Sequence, residues 1–239
     1  MKYLAFSLFA AASAALAGPV QASTVVIWPV DPIIKPGEQA TALWLENKGD
    51  TPVTLQVRSF DWSQSNGEDQ LANQDEVVAS PPIATVAPGK RQLVRIIRRA
   101  MPAAGSAAER SYRLIIDELP VAPPAGQEGT TSAGLAVQMR YSIPLFTYAA
   151  DPVAQAPRLV STMRASARER MVEIRNSGTG HARLTDLRMV LGGREQVLKP
   201  GLAGYVLPGA TMRFAVPDNA AGTLKASVNG KDVTMAPAI

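Results

Sequence analysis

Gly134-Leu135-Ala136-Val137-Gln138-Met139-Arg140-Tyr141-Ser142-Ile143-Pro144-Leu145-Phe146 places an apolar side chain at every odd position from Leu135 to Leu145. Successive side chains of a strand point to opposite faces, so this alternation describes one long strand with a single apolar face. A loop of Pro, Gly, Gln and Thr precedes it, over residues 121–131. Edge strands with apolar faces are normally blunted by charge or proline, because an unpaired edge recruits other chains. Residues 135 to 139 carry no such protection, which fits a strand made to pair with another protein. The competing explanation is an ordinary sandwich strand covered by its own domain.

The same period-two pattern recurs on both sides of this stretch. Residues 25–28, 40–46, 54–60, 92–97 and 112–116 read as strands before it, separated by Lys35-Pro36-Gly37-Glu38, Asn47-Lys48-Gly49-Asp50, Ser65-Asn66-Gly67-Glu68 and Ala87-Pro88-Gly89-Lys90. Those separators supply the backbone angles that turns require. Pro29 and Pro32 cannot donate to a sheet ladder, so the first strand is expected at an edge, bending or switching sheets. After Tyr148, residues 149–157 form a hinge punctuated by Pro152 and Pro157. A second set of strands follows over 171–175, 184–191, 196–198, 212–216, 224–228 and 233–235, with Asn229-Gly230 suited to a tight hairpin. No stretch reads as an amphipathic helix. The expected fold class is all-β, with two immunoglobulin-like sandwiches divided near residue 150.

The amino terminus is read as an export signal. Lys2, an apolar run from Tyr3 to Leu16 and the small-residue ending Val20-Gln21-Ala22 fit a segment cleaved after residue 22. The domains expected are therefore 23–150 and 151–239, and the brevity of the signal favours a bacterial periplasm. No later run approaches the ~20 apolar residues that span a bilayer, so direct membrane insertion is not expected. The chain has no cysteine, which excludes a disulfide framework and thiol chemistry. With 24 Lys and Arg against 20 Asp and Glu the chain is mildly basic. Those charges are interspersed, so no nucleic-acid partner is expected.

Catalytic chemistry finds little to work with. There is one histidine, no Gly-x-Ser-x-Gly, no phosphate-binding loop and no cluster at metal-ligand spacing. His181 follows a Gly-Thr-Gly turn and reads as a surface or strand-end residue. Asp117 and Glu118 are neighbours in a strand and point to opposite faces, which separates them too far for a carboxylate dyad. The chain is expected to be no enzyme and to need neither cofactor nor metal. The three tryptophans, Trp28, Trp44 and Trp62, read as strand core or turn packing.

One basic segment stands apart. Arg91, Arg95 and Arg99 alternate with Leu93 and Ile97, while Arg98 shares the opposite face with Val94 and Ile96. One of these faces must be core, which brings a guanidinium against apolar surface. Such a group suits capture of a carboxylate through paired charge-assisted bonds. The alternative is a solvated face with arginine stems lying over the core. Arg140, within the long strand, is a second candidate.

Several segments together resemble one family: Ile27-Trp28-Pro29, Ala42-Leu43-Trp44-Leu45-Glu46-Asn47, Ser80-Pro81-Pro82 with Pro88-Gly89 and Leu93-Val94-Arg95-Ile96, Ser111-Tyr112-Arg113-Leu114 with Asp117-Glu118-Leu119-Pro120, and Gln138 to Phe146. The chain is similar to the PapD-like periplasmic pilus chaperones, and most to the archaic branch associated with spore-coat-U-like subunits. The resemblance implies two immunoglobulin-like domains in a boomerang. It also implies donor-strand complementation, in which the chaperone lends a strand to a pilus subunit that lacks one and passes the subunit to an outer-membrane usher. The lent residues would be Leu135, Val137, Met139 and Tyr141. Burying three such apolar side chains contributes roughly 1.5–3 kcal/mol each, and the borrowed backbone satisfies the groove's open hydrogen-bonding groups.

The chain departs from better-known members at the anchor for the subunit's terminal carboxylate. Their basic pair aligns with Asp31 and Pro144, and neither can hold an anion. Arg95, Arg98 and Arg140 are the replacements the sequence offers, with Arg95 the first choice. Glu109 and Asp218 resemble carboxylates of the family's interdomain ionic link, with Tyr148 standing where its arginine would be. Two alternatives compete. A pilus subunit is usually one domain with its lendable arm at the mature amino terminus, whereas a secreted carbohydrate-binding protein would show clustered exposed aromatics.

Overall fold

The computed structural model describes residues 25–101, 109–120, 138–149, 156–165, 170–216, 222–235 and 237–238. Among them the regular elements are all strands. The first half holds β1 (Val25–Trp28), β2 (Ile33–Ile34), β3 (Ala40–Asn47), β4 (Val53–Ser65), β5 (Glu68–Asn73), β6 (Val77–Ser80), β7 (Ile83–Val86), β8 (Arg91–Arg98), β9 (Glu109–Leu119) and β10 (Arg140–Tyr148). The second holds β11 (Leu159–Ala165), β12 (Arg170–Asn176), β13 (Ala182–Leu191), β14 (Arg194–Val206), β15 (Thr211–Val216), β16 (Thr223–Val228), β17 (Lys231–Met235) and β18 (Pro237–Ala238).

Two sandwiches result. In the first, a sheet ordered β1-β3-β8-β6 faces one ordered β2-β10-β9-β4-β5, with β7 also on β4. In the second, β15-β12-β11-β18 faces β14-β13-β16-β17. The first core is the inward row of alternating strands, including Leu43 and Leu45, Val94 and Ile96, Leu114 and Ile116, and Ile143 and Leu145. The second gathers Val172, Ile174, Leu184, Met189 and Leu224 around two residues from the first half, Trp62 and Phe146. An all-β, immunoglobulin-like architecture is therefore established.

The proline-broken first strand behaves as its composition requires. β1 pairs antiparallel with β3 in one sheet, and two prolines later β2 pairs parallel with β10 in the other. Asn66-Gly67 and Asn229-Gly230 both take the left-handed conformation that two-residue hairpins need. Sequence patterning missed β2, β5, β6, β7, β11 and β18. The reason is clearest in β5, where all six residues are exposed and nothing alternates. The tryptophans divide: Trp62 is buried, but Trp28 and Trp44 stack at 6.1 Å on the outer face of their sheet, so the core reading holds for only one of them.

Candidate functional site

β10 is the element around which the site is built. Along one side it pairs with β9 from Arg140 to Tyr148; along the other, β2 covers only Phe146 and Thr147. The backbone edge from Arg140 to Leu145 therefore has no strand partner among the described residues. Its odd-numbered side chains Tyr141, Ile143 and Leu145 enter the first core. On the even side Phe146 enters the second core, with Tyr148 packed against it.

Beyond Arg140 the ladder runs one step further, with the amide of Glu118 donating to the carbonyl of Met139 at 3.0 Å. Met139 is 41% exposed, and Tyr141 is half-buried. Leu135 and Val137 lie outside the described residues.

A cavity of about 490 Å³ opens beside this edge, between the two sandwiches. The first half supplies Ile27, Val30, Asp31, Tyr141, Pro144 and Arg113; the second supplies Arg183, Leu202 and Tyr205. Asp31 and Pro144, the positions where a basic pair was missing from the sequence, both line it. The cations come instead from β9 and β13, with Arg140 of β10 at the border. Arg113 lies 3.6 Å over the Trp62 ring and 5.5 Å over Tyr205, and its Nη2 donates to Asp69 Oδ2 at 3.1 Å. Burial pulls its pKa down, opposed by the Asp69 charge and hydrogen bond. Arg183 reaches the Tyr205 phenol, whose pKa is raised by burial and held back by that guanidinium. Arg183 pairs with no carboxylate among the described residues.

The three arginines singled out in the sequence are not brought together. Arg95 is exposed on the outer face of its sheet, in register with Ala42 and Ser80 and away from β10, which removes the basis for making it the first choice. The buried face of β8 is the Val94, Ile96 and Arg98 face, and Arg98 is only 4% exposed. Its Nη1 donates to the carbonyl of Tyr148 at 2.8 Å and its Nη2 to that of Glu38 at 2.6 Å, so its two terminal nitrogens are taken by main chain, while its buried Nε has no partner among the described residues. Arg140 borders the cavity, and its Nε donates to Asp117, which also accepts from Arg58 Nη2 at 2.7 Å. Sequence reasoning passed over Arg113 and Arg183 because nothing local marks them. Both owe their position to the apposition of two sandwiches.

That apposition has its own hardware. Gln64 reads the β14 end twice, donating from Nε2 to the Tyr205 carbonyl at 2.9 Å and accepting the Leu207 amide at 2.9 Å. Trp62, Phe146 and Tyr205 form an aromatic wedge, with Tyr205 edge-on to Trp62 at 5.5 Å. Glu109, a carboxylate implicated in an interdomain link, meets His181 across the joint. Its Oε1 accepts the His181 amide and its Oε2 lies 2.9 Å from His181 Nδ1. Asp218 lies outside the described residues. His181 is thus a strand-end residue at the head of β13, half-buried in the joint and not on the surface. Among the described residues no three His, Asp or Glu side chains converge as metal ligands would.

Comparison with known proteins agrees with this geometry. Residues 24–149 match the family model described as pili and flagellar-assembly chaperone, PapD N-terminal domain. A chain of the CsuC–CsuE chaperone-tip adhesion subunit pre-assembly complex, from archaic chaperone-usher Csu pili of Acinetobacter baumannii, is 29% identical with a TM-score of 0.71, over 90% of this chain and 100% of that one. The CupB2 chaperone of Pseudomonas aeruginosa is 16% identical with a TM-score of 0.61, over 89% of this chain and 100% of its own. A chain of the Salmonella enterica SafA pilin and SafB chaperone complex is 14% identical with a TM-score of 0.64, over 91% and 97% respectively. The last two speak to the fold alone. No curated protein sequence matches the chain.

Proposed function

The chain belongs to the PapD family of pili and flagellar-assembly chaperones, and from that premise we propose that it captures pilus subunits by lending them β10 and its leading residues. The observation that carries this reading is the backbone edge from Arg140 to Leu145, which has no strand partner among the described residues and lies beside a cavity shared by both sandwiches. A groove missing one strand exposes amides, carbonyls and apolar surface together, and a strand added from this edge satisfies all three. Leu135, Val137 and Met139 are the side chains lent, with Tyr141, half-buried against the first core, at the inner limit of the lent segment. Folding of the client drives the exchange, so no catalysis and no cofactor enter. The working place is the periplasm, reached by a cleaved signal of residues 1–22, and the subunit is handed to an outer-membrane usher. Residues 23–150 form the lending domain and 151–239 the second.

The client's terminal carboxylate is held in the cavity. Arg183 is the favoured anchor, since it faces the cavity and pairs with no carboxylate among the described residues; Arg140 at the rim is second. Leaving that carboxylate against apolar surface without a partner would cost several kcal/mol.

Co-expression with a subunit and recovery of the complex from periplasm tests both parts. Met139→Asp should abolish capture while leaving the melting temperature unchanged, because the side chain is exposed in the free protein and a carboxylate is strongly disfavoured in a dry groove. Unchanged capture by Met139→Asp would sink the lent-strand reading. Arg183→Ala should lower recovery, and Arg95→Ala and Arg98→Ala should not act through the anchor. Full recovery from Arg183→Ala with loss from Arg140→Ala moves the anchor; full recovery from both removes it.

A further inference from the structure

The outer face of the sheet β1-β3-β8-β6 has a composition that the packing of its own sandwich does not require. The inner face holds Ile27, Leu43, Leu45, Val94 and Ile96. Across the outer face, Trp28, Trp44 and Leu93 form one row in register, and Ala40, Ile97 and Val78 form another. Between these rows stands Arg95, opposite Ala42 on one side and Ser80 on the other. An antiparallel sheet with one solvated face alternates apolar with polar residues, whereas strands covered on both faces read as near-continuous apolar runs. From Leu93 to Ile97 the run is interrupted by Arg95 alone. Yet no further sheet lies over this face among the described residues, and Val26 at its edge is 41% exposed.

The charges on the face have one dominant sign. Glu46 is held by Lys48 at 2.6 Å and by Arg91 at 3.5 Å, so its carboxylate is already matched. The Arg91 guanidinium also lies 5.3 Å over the Trp28 ring, and Trp28 stacks on Trp44 with the planes 11° apart. Arg95 is exposed and pairs with no carboxylate among the described residues. The surface is thus apolar at its centre, aromatic at one end and cationic, with a guanidinium free to accept an anion.

We infer that this face is a docking surface for a second protein, one whose contact surface has an apolar centre to cover Trp28, Trp44 and Leu93 and a carboxylate to meet Arg95. Tryptophan and arginine are the side chains that gather at the energetic centre of protein interfaces. A second copy of this chain fits poorly, because it would set Arg91 and Arg95 against cations of the same face. A glycan could stack on the indoles, but Leu93, Ile97 and Val78 offer its hydroxyls no hydrogen bonds. A bilayer is entered by protruding side chains, and these two tryptophans are half-buried against each other. The face looks away from the sheet that carries β10, so it stays open whether or not that strand is lent. The inference therefore stands apart from client capture, and it gives Arg95 a role that its distance from the cleft denies it there.

The test uses the full chain in the cells that make it, with Ala42 replaced by the photoreactive benzoyl-phenylalanine. Ala42 is exposed and lies opposite Arg95. After irradiation the attached protein is identified and the linked peptide sequenced. One protein should be found, joined within a few residues of an Asp or Glu. Arg95→Glu should cut the adduct severalfold, and reversing the partner's carboxylate to arginine should restore it. Arg194→Glu, an exposed change on the second sandwich, should leave the adduct as it was. Recovery of a pilus subunit should be the same for Arg95→Glu as for the parent. An adduct with a second copy of the chain, with a glycan or with a lipid would overturn the inference. So would an adduct indifferent to Arg95→Glu, a charge swap that restores nothing, or no adduct from position 42 and none from the same probe in place of Val26.

Discussion

The two ends of β10 are the most instructive contrast in the molecule. From Ile143 to Tyr148 the strand is held on both faces and, at its end, on both edges: Leu145 is in the first core, Phe146 is in the second, and β2 closes the outer edge at Phe146 and Thr147. From Met139 to Ser142 the same strand has one edge covered among the described residues, and its side chains emerge from the core within a few residues. A strand offered to another chain must be fixed where it leaves its own domain, or the ordering entropy of the whole segment would oppose binding. The root supplies that rigidity, and the tip supplies an edge with no strand partner among the described residues.

The largest effect should come from breaking the root. Phe146→Ala removes a fully buried ring that joins the strand to Trp62, His181 and Tyr205, and should destabilise the protein by about 3–5 kcal/mol in urea unfolding. A loss below about 1 kcal/mol would mean that the second core closes without β10. Next in size is Arg98→Met, which fills the volume but leaves the Tyr148 and Glu38 carbonyls without their donors. It should cost about 1–3 kcal/mol. At the tip, Met139→Asp should fall within about ±0.5 kcal/mol in the same assay, as surface substitutions do. Its effect should appear in subunit capture alone, and that split sharpens the contrast.

Much of β10 was legible in advance, and what was not has physical causes. Period-two alternation identifies a strand and separates its faces, which is why Leu135 to Leu145 pointed to one apolar row. Alternation does not say what covers each face. The even row carries Arg140 and Ser142 near its start, so the seating of Phe146 in another sandwich had no local signal. The same limit applied to β8, where Leu93 and Ile97 are as apolar as Val94 and Ile96; the inward face was settled by the opposing sheet, and with it the fates of Arg95 and Arg98. His181 and Glu109 are 72 residues apart, and their meeting depends on how two sandwiches abut. Arg183 is hidden for the same reason, whereas β10, being a continuous segment, could be read directly.

The smallest effect concerns the boundary between root and tip. Asp117 on β9 stands opposite Arg140, the first residue of β10, and accepts from both Arg140 and Arg58. Burial alone would raise its pKa, but the hydrogen bonds from Arg140 and Arg58, followed by their charges, outweigh burial and hold the carboxyl below its usual value. A carboxylate with a depressed folded-state pKa contributes stability that is present above its unfolded value and is lost as pH falls through the folded one. Both guanidinium partners are substantially exposed, at 67% for Arg140 and 43% for Arg58, so solvent screens the pairs. Asp117→Asn should therefore cost only about 0.2–1 kcal/mol at neutral pH. That difference from wild type should shrink as pH drops below about 4, where the carboxylate is increasingly protonated in the unfolded chain and then in the folded one. Urea midpoints measured for both proteins across that range decide the matter. A penalty that persists undiminished in acid would show that Asp117 acts through packing, and the ion pair would then have no part in fixing where the tip begins.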